Sequence, residues 1–162
     1  MNCFEYRHII GFQETSLAGN VYYVNHFHWQ GRARELFLRA YVPEILAELE
    51  RGFALITVRC SCDYLAELKA FDELTVRMFL GSITQNRIAM RFEYWREGQP
   101  PELVARGEQE IACMHRQDDR LVPTPVPISL REALAPFAEE AISSQHSAFS
   151  PRASSPIRVD SR

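Results

Sequence analysis

Residues 14–38, ETSLAGNVYYVNHFHWQGRARELFL, contain the features on which the interpretation of the whole chain depends. The stretch joins a glycine-centred loop, a short aromatic turn and the start of a long helix. Gly19 and Asn20 are residue types that tolerate a positive φ, so together they predict a turn. Asn25 is a favourable N-cap residue, and a helical pattern follows it. The stretch therefore predicts a loop that leads directly into a helix.

The helix carries polar side chains on the side that should be buried. At about 100° per residue, His26, Gln30 and Arg34 form an i, i+4, i+8 row on the inward half. Glu35 and Arg39 fall on the opposite, solvent-facing half, where their spacing predicts a surface ion pair. A plain amphipathic helix would not bury such a row, so we expect these side chains to serve a site or an interface.

The remaining elements are predicted from hydrophobic periodicity and turn residues. The last three strands are separated by tight turns, which predicts an antiparallel meander. The predicted elements are a strand at 3–13, the long helix, a short helix at 43–52, strands at 53–68, 74–84, 87–97 and 102–116, an extended segment at 121–127 and a short helix at 129–137. One long helix with several antiparallel strands is typical of the α+β class, and a polar buried row favours at least a dimer.

Length and composition indicate one globular domain with a real core. The chain has 162 residues, of which 46% are hydrophobic, and its net charge of -3 gives no basic footprint for nucleic acid. No apolar run is long enough to span a membrane, and the N-terminus lacks a signal-peptide pattern, so we expect a cytoplasmic protein. We predict a domain at 1–142 and a disordered, Ser/Pro/Arg-rich tail at 143–162.

The cysteines and histidines do not predict a metal site. The four cysteines form no C-x-x-C pair, and the histidines are scattered. Cys60 and Cys62 lie two apart in an apolar strand pattern, so we expect them to share a face as core thiols. We expect neither a metal nor a cofactor.

The chain resembles the hotdog-fold thioesterases of the 4-hydroxybenzoyl-CoA type. The resemblance lies in TSLAGNVYYVNHFHWQGRARELFL at 15–38, followed by Asp63-Tyr64 and by Asp72-Glu73-Leu74. The strings GNVYYVN and WQGR are similar to a narrower branch, the thioesterases of enediyne polyketide biosynthesis. The order of elements fits from about residue 3 to residue 137, which is the whole predicted folded part.

The resemblance implies a long central helix wrapped by a curled antiparallel sheet, in protomers that dimerise and form a homotetramer. It implies hydrolysis of a long polyene β-keto acyl thioester from the acyl carrier domain of an iterative enediyne polyketide synthase. Whether the released acid is then decarboxylated is left open. Two alternatives also stay open, a general acyl-CoA thioesterase and a non-catalytic acyl-binding hotdog protein.

The resemblance also suggests how the chemistry is divided among residues. Thioester hydrolysis needs a stabilised oxyanion and a positioned water. Arg34 matches the arginine on which the enediyne branch relies, although it could instead bridge subunits. The aspartate of the broad family is replaced by Ser16, which cannot act as a base and could position water or form a local turn.

Three further groups remain candidates on this reading. Asn20 could hold the water or the carbonyl, or be a left-handed turn residue. His26, where the branch tends to have tyrosine, could orient or deprotonate the water, with a pKa lowered by the helix N-terminus, or be an interface histidine. Free backbone N–H groups are expected at 25–27. The predicted catalytic residues are Arg34, Ser16, Asn20 and His26, and the predicted substrate-binding residues are Gly19, Tyr23, Asn25, Phe27 and Gln30.

Overall fold

The computed structural model describes residues 2–138 of the chain. The predicted end of the domain at 142 and the predicted tail at 143–162 lie outside the described residues. In chain order the elements are β1 (Phe4–Ile9), α1 (Asn25–Tyr41), α2 (Glu44–Glu50), β2 (Phe53–Tyr64), β3 (Glu73–Ile83), β4 (Arg87–Arg96), β5 (Glu102–Gln117), β6 (Arg120–Pro123) and α3 (Ile128–Leu134), with single 3-10 turns at Phe12–Glu14 and Ala135–Phe137.

The strands form one antiparallel sheet in the order β1-β3-β4-β5-β2, and β6 pairs with the far end of β5. This confirms the α+β class and the predicted meander of β3, β4 and β5. The short strand β6 was missed, because the prolines of 121–127 favoured an unpaired segment. Among the described residues, no helix is long and apolar enough to cross a membrane.

Helix α1 packs on the concave face of the sheet and contributes Trp29, Ala33 and Phe37 to the buried core. From the sheet side, Phe92 and Tyr94 of β4 are buried in the same core. Aromatic side chains from both layers therefore contribute large buried apolar areas that hold helix and sheet together. The helix direction is thereby fixed, with its first turns near the ends of β2 and β4.

Two local predictions about α1 were wrong. Asn25 is the first helical residue and does not cap the helix; its side-chain amide donates to the Glu14 and Tyr22 carbonyls instead. Glu35 is exposed as expected, but its ion-pair partner is Arg32, one turn earlier, at 3.5 Å. Residues three and four apart are both neighbours on a helix surface, so spacing alone does not decide between Arg32 and Arg39.

The prediction that Cys60 and Cys62 are core thiols was also wrong. They do share the inner face of β2, opposite Gln109 and Gly107, but Cys60 is exposed and Cys62 is only partly buried. The reason is position in the sheet, because β2 is an edge strand that α1 covers incompletely. Alternation along a strand predicts a face but not whether that face is covered.

Glu14 connects three separate parts of the fold. Its carboxylate accepts hydrogen bonds from His8 Nε2 of β1 at 2.8 Å, from the Gly11 N–H at 2.8 Å and from Trp29 Nε1 of α1 at 2.9 Å. Its backbone carbonyl accepts from Asn25 Nδ2, also at 2.8 Å. The strand, the loop and the helix are therefore held to one another through a single residue.

The charge on Glu14 is stabilised by these contacts. Burial alone would raise the pKa of the Glu14 carboxyl, but the hydrogen bonds from Gly11, His8 and Trp29 outweigh it and hold the pKa below its ordinary value. The carboxylate form therefore contributes stability above the ordinary pKa, and that contribution declines as the pH falls through the lowered value.

We expect Glu14→Gln to lower the free energy of unfolding by about 2 kcal/mol near neutral pH, because hydrogen bonds to a charged acceptor are lost. Denaturant unfolding at a fixed protein concentration measures this. Glu35→Gln, on the exposed face, is the matched control and should change stability by less than about 0.5 kcal/mol. The deficit of Glu14→Gln should shrink below about pH 4.5. A deficit that is constant with pH would contradict a role for the charge.

Candidate functional site

The polar row of α1 lies against the edge strand β2, as a seam between helix and sheet. His26 packs edge-on against Tyr64, with ring centroids 4.8 Å apart. Gln30 Nε2 donates to the Ser61 carbonyl at 3.0 Å. Arg34 reaches Thr57 in the middle of β2, four residues before Ser61 in the chain. We call this the α1–β2 seam, and it confirms that the row points inward.

Arg34 occupies the lower end of the seam. Its Nη1 donates to Thr57 Oγ1 of β2 at 3.1 Å and to Gln109 Oε1 of β5 at 2.9 Å. Burial lowers the pKa of the guanidinium, with Glu35 opposing the shift, but an arginine side chain remains protonated at working pH. The two acceptors of Nη1 are neutral oxygens, so a positive charge is held, partly buried, beside the sheet edge.

Gln30 occupies the middle of the seam and is 0% exposed. Its Oε1 has no hydrogen-bond partner among the described residues. Gly107 of β5 permits this close packing, because a Cβ there would lie 2.3 Å from Gln30 Nε2 and 3.0 Å from the Ser61 carbonyl oxygen. Buried polar atoms without partners are uncommon and call for an explanation.

His26 lies at the upper end of the seam and is 4% exposed. Its ring is surrounded by the rings of Trp29, Tyr64 and Tyr94, at centroid distances of 5.1, 4.8 and 5.3 Å. Neither ring nitrogen has a hydrogen-bond partner in the described part of the chain. Burial lowers the pKa of His26 to about 4, so the ring is neutral at working pH. The direction agrees with the sequence-based expectation; its largest cause is desolvation, which the Tyr23 backbone opposes.

A cavity of about 290 Å³ opens beside His26. Its wall includes Asn20, Tyr23, His26 and Tyr64, together with the segment 65–68 that follows β2. The Tyr64 hydroxyl donates to the Tyr23 carbonyl at 3.0 Å, which ties the two sides of the mouth together. The cavity therefore joins the glycine loop to the upper end of the seam.

The glycine loop contributes Asn20 to the wall of this cavity. Gly19 has a φ of +84°, so it is the left-handed residue of the turn, and Asn20 is not among the described residues with a positive φ. Ser16 Oγ donates to Asn20 Oδ1 at 2.8 Å and accepts from the Ala18 N–H at 3.2 Å. Because Ser16 occupies the amide oxygen, the Nδ2 group of Asn20 is the donor left for a ligand.

The free backbone donors predicted at the helix start are not present. The N–H groups of Asn25, His26 and Phe27 each donate to the carbonyl three residues earlier, at 3.0, 3.3 and 3.1 Å. A tight turn at 22–24 supplies these acceptors, so the orphan donors of the helix N-terminus are already satisfied. Side chains must therefore supply the hydrogen bonds to any oxyanion at this end of the helix.

The structure thus brings together some predicted residues and separates others. Tyr23, Asn20 and His26 share the cavity, with Ser16 directly behind Asn20. Arg34 lies eight residues from His26, which is about 12 Å along the helix. Gly19, Asn25 and Phe27 shape the loop and the helix start but do not line the cavity.

Two polar cavity residues were missed from the sequence, Tyr64 and Glu67, as were the apolar wall residues Val21, Leu65, Ala66 and Leu68. Tyr64 belongs to the Asp63-Tyr64 pair that carried part of the resemblance, so a signal for it existed. Burial raises the pKa of its hydroxyl to about 12, so it stays protonated. Glu67 is exposed at the rim of the cavity. It belongs to the segment between β2 and β3, and the sequence does not indicate that this segment passes beside the glycine loop.

Comparison with known proteins places this geometry in a family. The family model of the thioesterase-like superfamily matches residues 10–136. None of the curated proteins compared with the chain matches it. The dynemicin thioesterase, whose crystal structures are described as showing induced-fit and allosteric effects upon polyene binding, is 46% identical with a TM-score of 0.83, over 86% of this chain and 100% of that chain.

More distant structures share the fold. A 1,4-dihydroxy-2-naphthoyl-CoA thioesterase from Synechocystis is 22% identical with a TM-score of 0.73, over 83% of this chain and 96% of its own. The 4-hydroxybenzoyl CoA thioesterase from Pseudomonas sp. strain CBS-3 is 21% identical with a TM-score of 0.71, over 82% and 99%. The resemblance seen in the sequence is confirmed: the chain belongs to the thioesterase-like superfamily and is a thioester hydrolase of the hotdog fold.

Proposed function

We propose that this enzyme hydrolyses a long polyene β-keto acyl thioester carried by the acyl carrier domain of an iterative enediyne polyketide synthase. The observation that carries the proposal is the 46% identity, over nearly the whole described chain, with a thioesterase described as binding a polyene. A carrier-bound substrate places the reaction beside the synthase, in the cytoplasm. The free β-keto acid can then lose carbon dioxide.

The site has the composition that such a substrate needs. The cavity wall combines aromatic side chains with a few hydrogen-bonding groups, which suits an unsaturated chain that ends in polar carbonyls. Tyr23 and Tyr64 flank the mouth, and Asn20 and His26 lie at the polar end. The acyl chain is proposed to extend along the α1–β2 seam.

The proposed chemistry uses no carboxylate nucleophile. Water attacks the thioester carbonyl carbon, the C–S bond breaks, and the leaving sulfur takes a proton to become the carrier thiol. The developing oxyanion needs donors or a positive charge. Asn20, positioned by Ser16, supplies an amide donor, and Arg34 supplies a fixed charge.

Within one protomer, Arg34 is too far from the cavity for this role. The free edge of β2 offers a solution, because no described strand pairs with it and Ile56 and Val58 are exposed there. A bare strand edge is a template for pairing with a second copy. Antiparallel pairing of two β2 strands runs the two α1 helices antiparallel, and we propose a register of that pairing in which Arg34 of the partner subunit lies beside the cavity. We propose a dimer of this kind, assembling into a homotetramer.

We expect Arg34→Ala to lower kcat/KM for the carrier-bound polyene about 100-fold or more, because a charge that stabilises the oxyanion is lost. Arg39→Ala, on the exposed face of the same helix, is the matched control and should leave the rate unchanged. The assay is polyene release when the chain is co-expressed with an enediyne synthase, followed by single-substrate kinetics.

Unchanged polyene release by the Arg34→Ala enzyme would contradict this mechanism. A comparable loss in Glu67→Gln would show that the rim carboxylate acts as a base, against an acid-free reaction. Efficient hydrolysis of short acyl-CoA without any carrier would favour a general acyl-CoA thioesterase.

Mixing Arg34→Ala and Asn20→Ala proteins should restore activity, because one site of each mixed dimer then has both a native cavity and a native arginine. Random exchange predicts recovery to about a quarter of wild-type activity, since half the dimers are mixed and each has one complete site. Sedimentation first establishes that the subunits exchange. No recovery in exchanged dimers would place Arg34 and Asn20 in the same protomer's site.

A further inference from the structure

Gly31 lies inside α1, where glycine is an unfavourable residue. It is half-buried and belongs to the helix Asn25–Tyr41, well away from either end. Apart from proline, glycine destabilises a helix interior most, because it loses the most backbone freedom on folding. A glycine at this position therefore needs a reason, such as the close approach of another group to the helix backbone.

The packing of the described residues does not supply that reason. A Cβ on Gly31 would have no neighbouring atom within 4 Å, so alanine would fit there without moving anything. Gly107 differs in this respect, since a Cβ there would collide with Gln30. The group for which Gly31 leaves room is therefore not part of the described protomer.

Arg34 gives this open space its chemical character. Residues three apart are neighbours on a helix surface, and helical side chains lean toward the N-terminus, so the space over Gly31 adjoins the side chain of Arg34. The guanidinium reaches Thr57 and Gln109, and both of these hydrogen bonds leave from Nη1. One edge of the guanidinium is thereby fixed against the sheet.

The other donors of Arg34 remain available. Among the described residues, neither Nε nor Nη2 has an acceptor. Neither atom is among the unpaired polar atoms that are sealed from solvent, so both keep accessible surface. They share the positive charge of the guanidinium. A bare stretch of helix backbone thus lies beside accessible cationic donors.

We propose that the space over Gly31 receives the oxygen-bearing end of the acyl group, and that the missing side chain keeps the approach to Arg34 open. The inference rests on the proposed function and deepens it, because it adds a residue that decides whether the substrate fits. In the proposed dimer, Gly31 and Arg34 of one subunit are presented together to the cavity of the other.

The test is a binding measurement that needs no turnover. The ligand is a carrier-arm analogue with a polyene β-keto acyl chain, in which a methylene group replaces the thioester sulfur. Gly31→Ala should weaken its binding about tenfold, because a methyl group added to an occupied space is overpacked, and Gly31→Leu should weaken it further. His28→Leu, at an exposed position of the same helix, is the control and should bind as wild type does.

Stability and assembly are measured on the same proteins. Gly31→Ala should raise Tm by about 3 °C at a fixed protein concentration, because alanine favours the helix and its methyl group meets no atom of the described protomer. Sedimentation should show an unchanged oligomer. Weaker ligand binding by a more stable and normally assembled protein excludes misfolding as the cause.

A double-mutant cycle tests the link between Gly31 and Arg34. Gly31→Ala is expected to act by obstructing the approach to the guanidinium. Its effect on affinity should therefore shrink from about tenfold to about twofold or less in an Arg34→Ala background, where that approach has no purpose.

Wild-type affinity in both Gly31→Ala and Gly31→Leu would overturn the proposal, as would additive effects of Gly31→Ala and Arg34→Ala. Dissociation of the Gly31→Ala oligomer with unchanged ligand affinity would assign the open space to a subunit contact instead. A wild type that does not bind the analogue would overturn this inference together with the proposed function. An enzyme that releases no polyene from the synthase, but loses analogue affinity in Gly31→Ala, would contradict the proposed function alone.

Discussion

The structure depends on one constraint, the burial of a polar row of α1 against the edge strand of the sheet. His26, Gln30 and Arg34 would each be costly in an ordinary helix–sheet interface. Here Gln30 finds the Ser61 carbonyl and Arg34 finds Thr57 and Gln109, while the His26 ring and the Gln30 Oε1 remain unpaired. The fold therefore tolerates two incomplete groups at the place where a ligand is proposed to bind, as functional sites often do.

The loop that faces this row is held by residues outside the cavity. Glu14 fixes the loop to β1 and to Trp29, and Trp29 packs against His26. Ser16 in turn fixes the amide of Asn20. A serine in the position of an acid thus has a structural use, since it orients a neutral donor. Among the described residues of the cavity wall, the only carboxylate is that of the exposed Glu67 at the rim.

Much of the fold could be predicted from the sequence because it follows from local periodicity. The strands, the long helix and the inward row are all set by which side chains repeat at two or at about 3.6 residues. The exposure of Cys60 could not be predicted, because it depends on which strand forms the sheet edge. The pairing of Glu35 with Arg32 and the satisfied N–H groups at 25–27 depend on rotamers and on a turn that periodicity does not describe.

The site was predictable in part. The helix angles grouped His26, Gln30 and Arg34 correctly. Angles say nothing about distance along the helix, however, and His26 and Arg34 are about 12 Å apart, too far to contact one substrate carbonyl together. Glu67 could not be found, because it comes to the cavity from a distant connection. The hydrogen bonds of Glu14 could not be predicted, because its partners His8, Gly11 and Trp29 are brought together only by the fold of the loop.

The central claim is that the α1–β2 seam and its cavity hold the thioester. The most direct measurement is a crystal structure of the assembled protein with a carrier-arm analogue in which a methylene group replaces the thioester sulfur. The account predicts the carbonyl oxygen within hydrogen-bond distance of the Asn20 amide, with Arg34 of the partner subunit beside it and the acyl chain along the seam. An acyl chain on the outer face of the sheet, or a carbonyl remote from both Asn20 and Arg34, would contradict it.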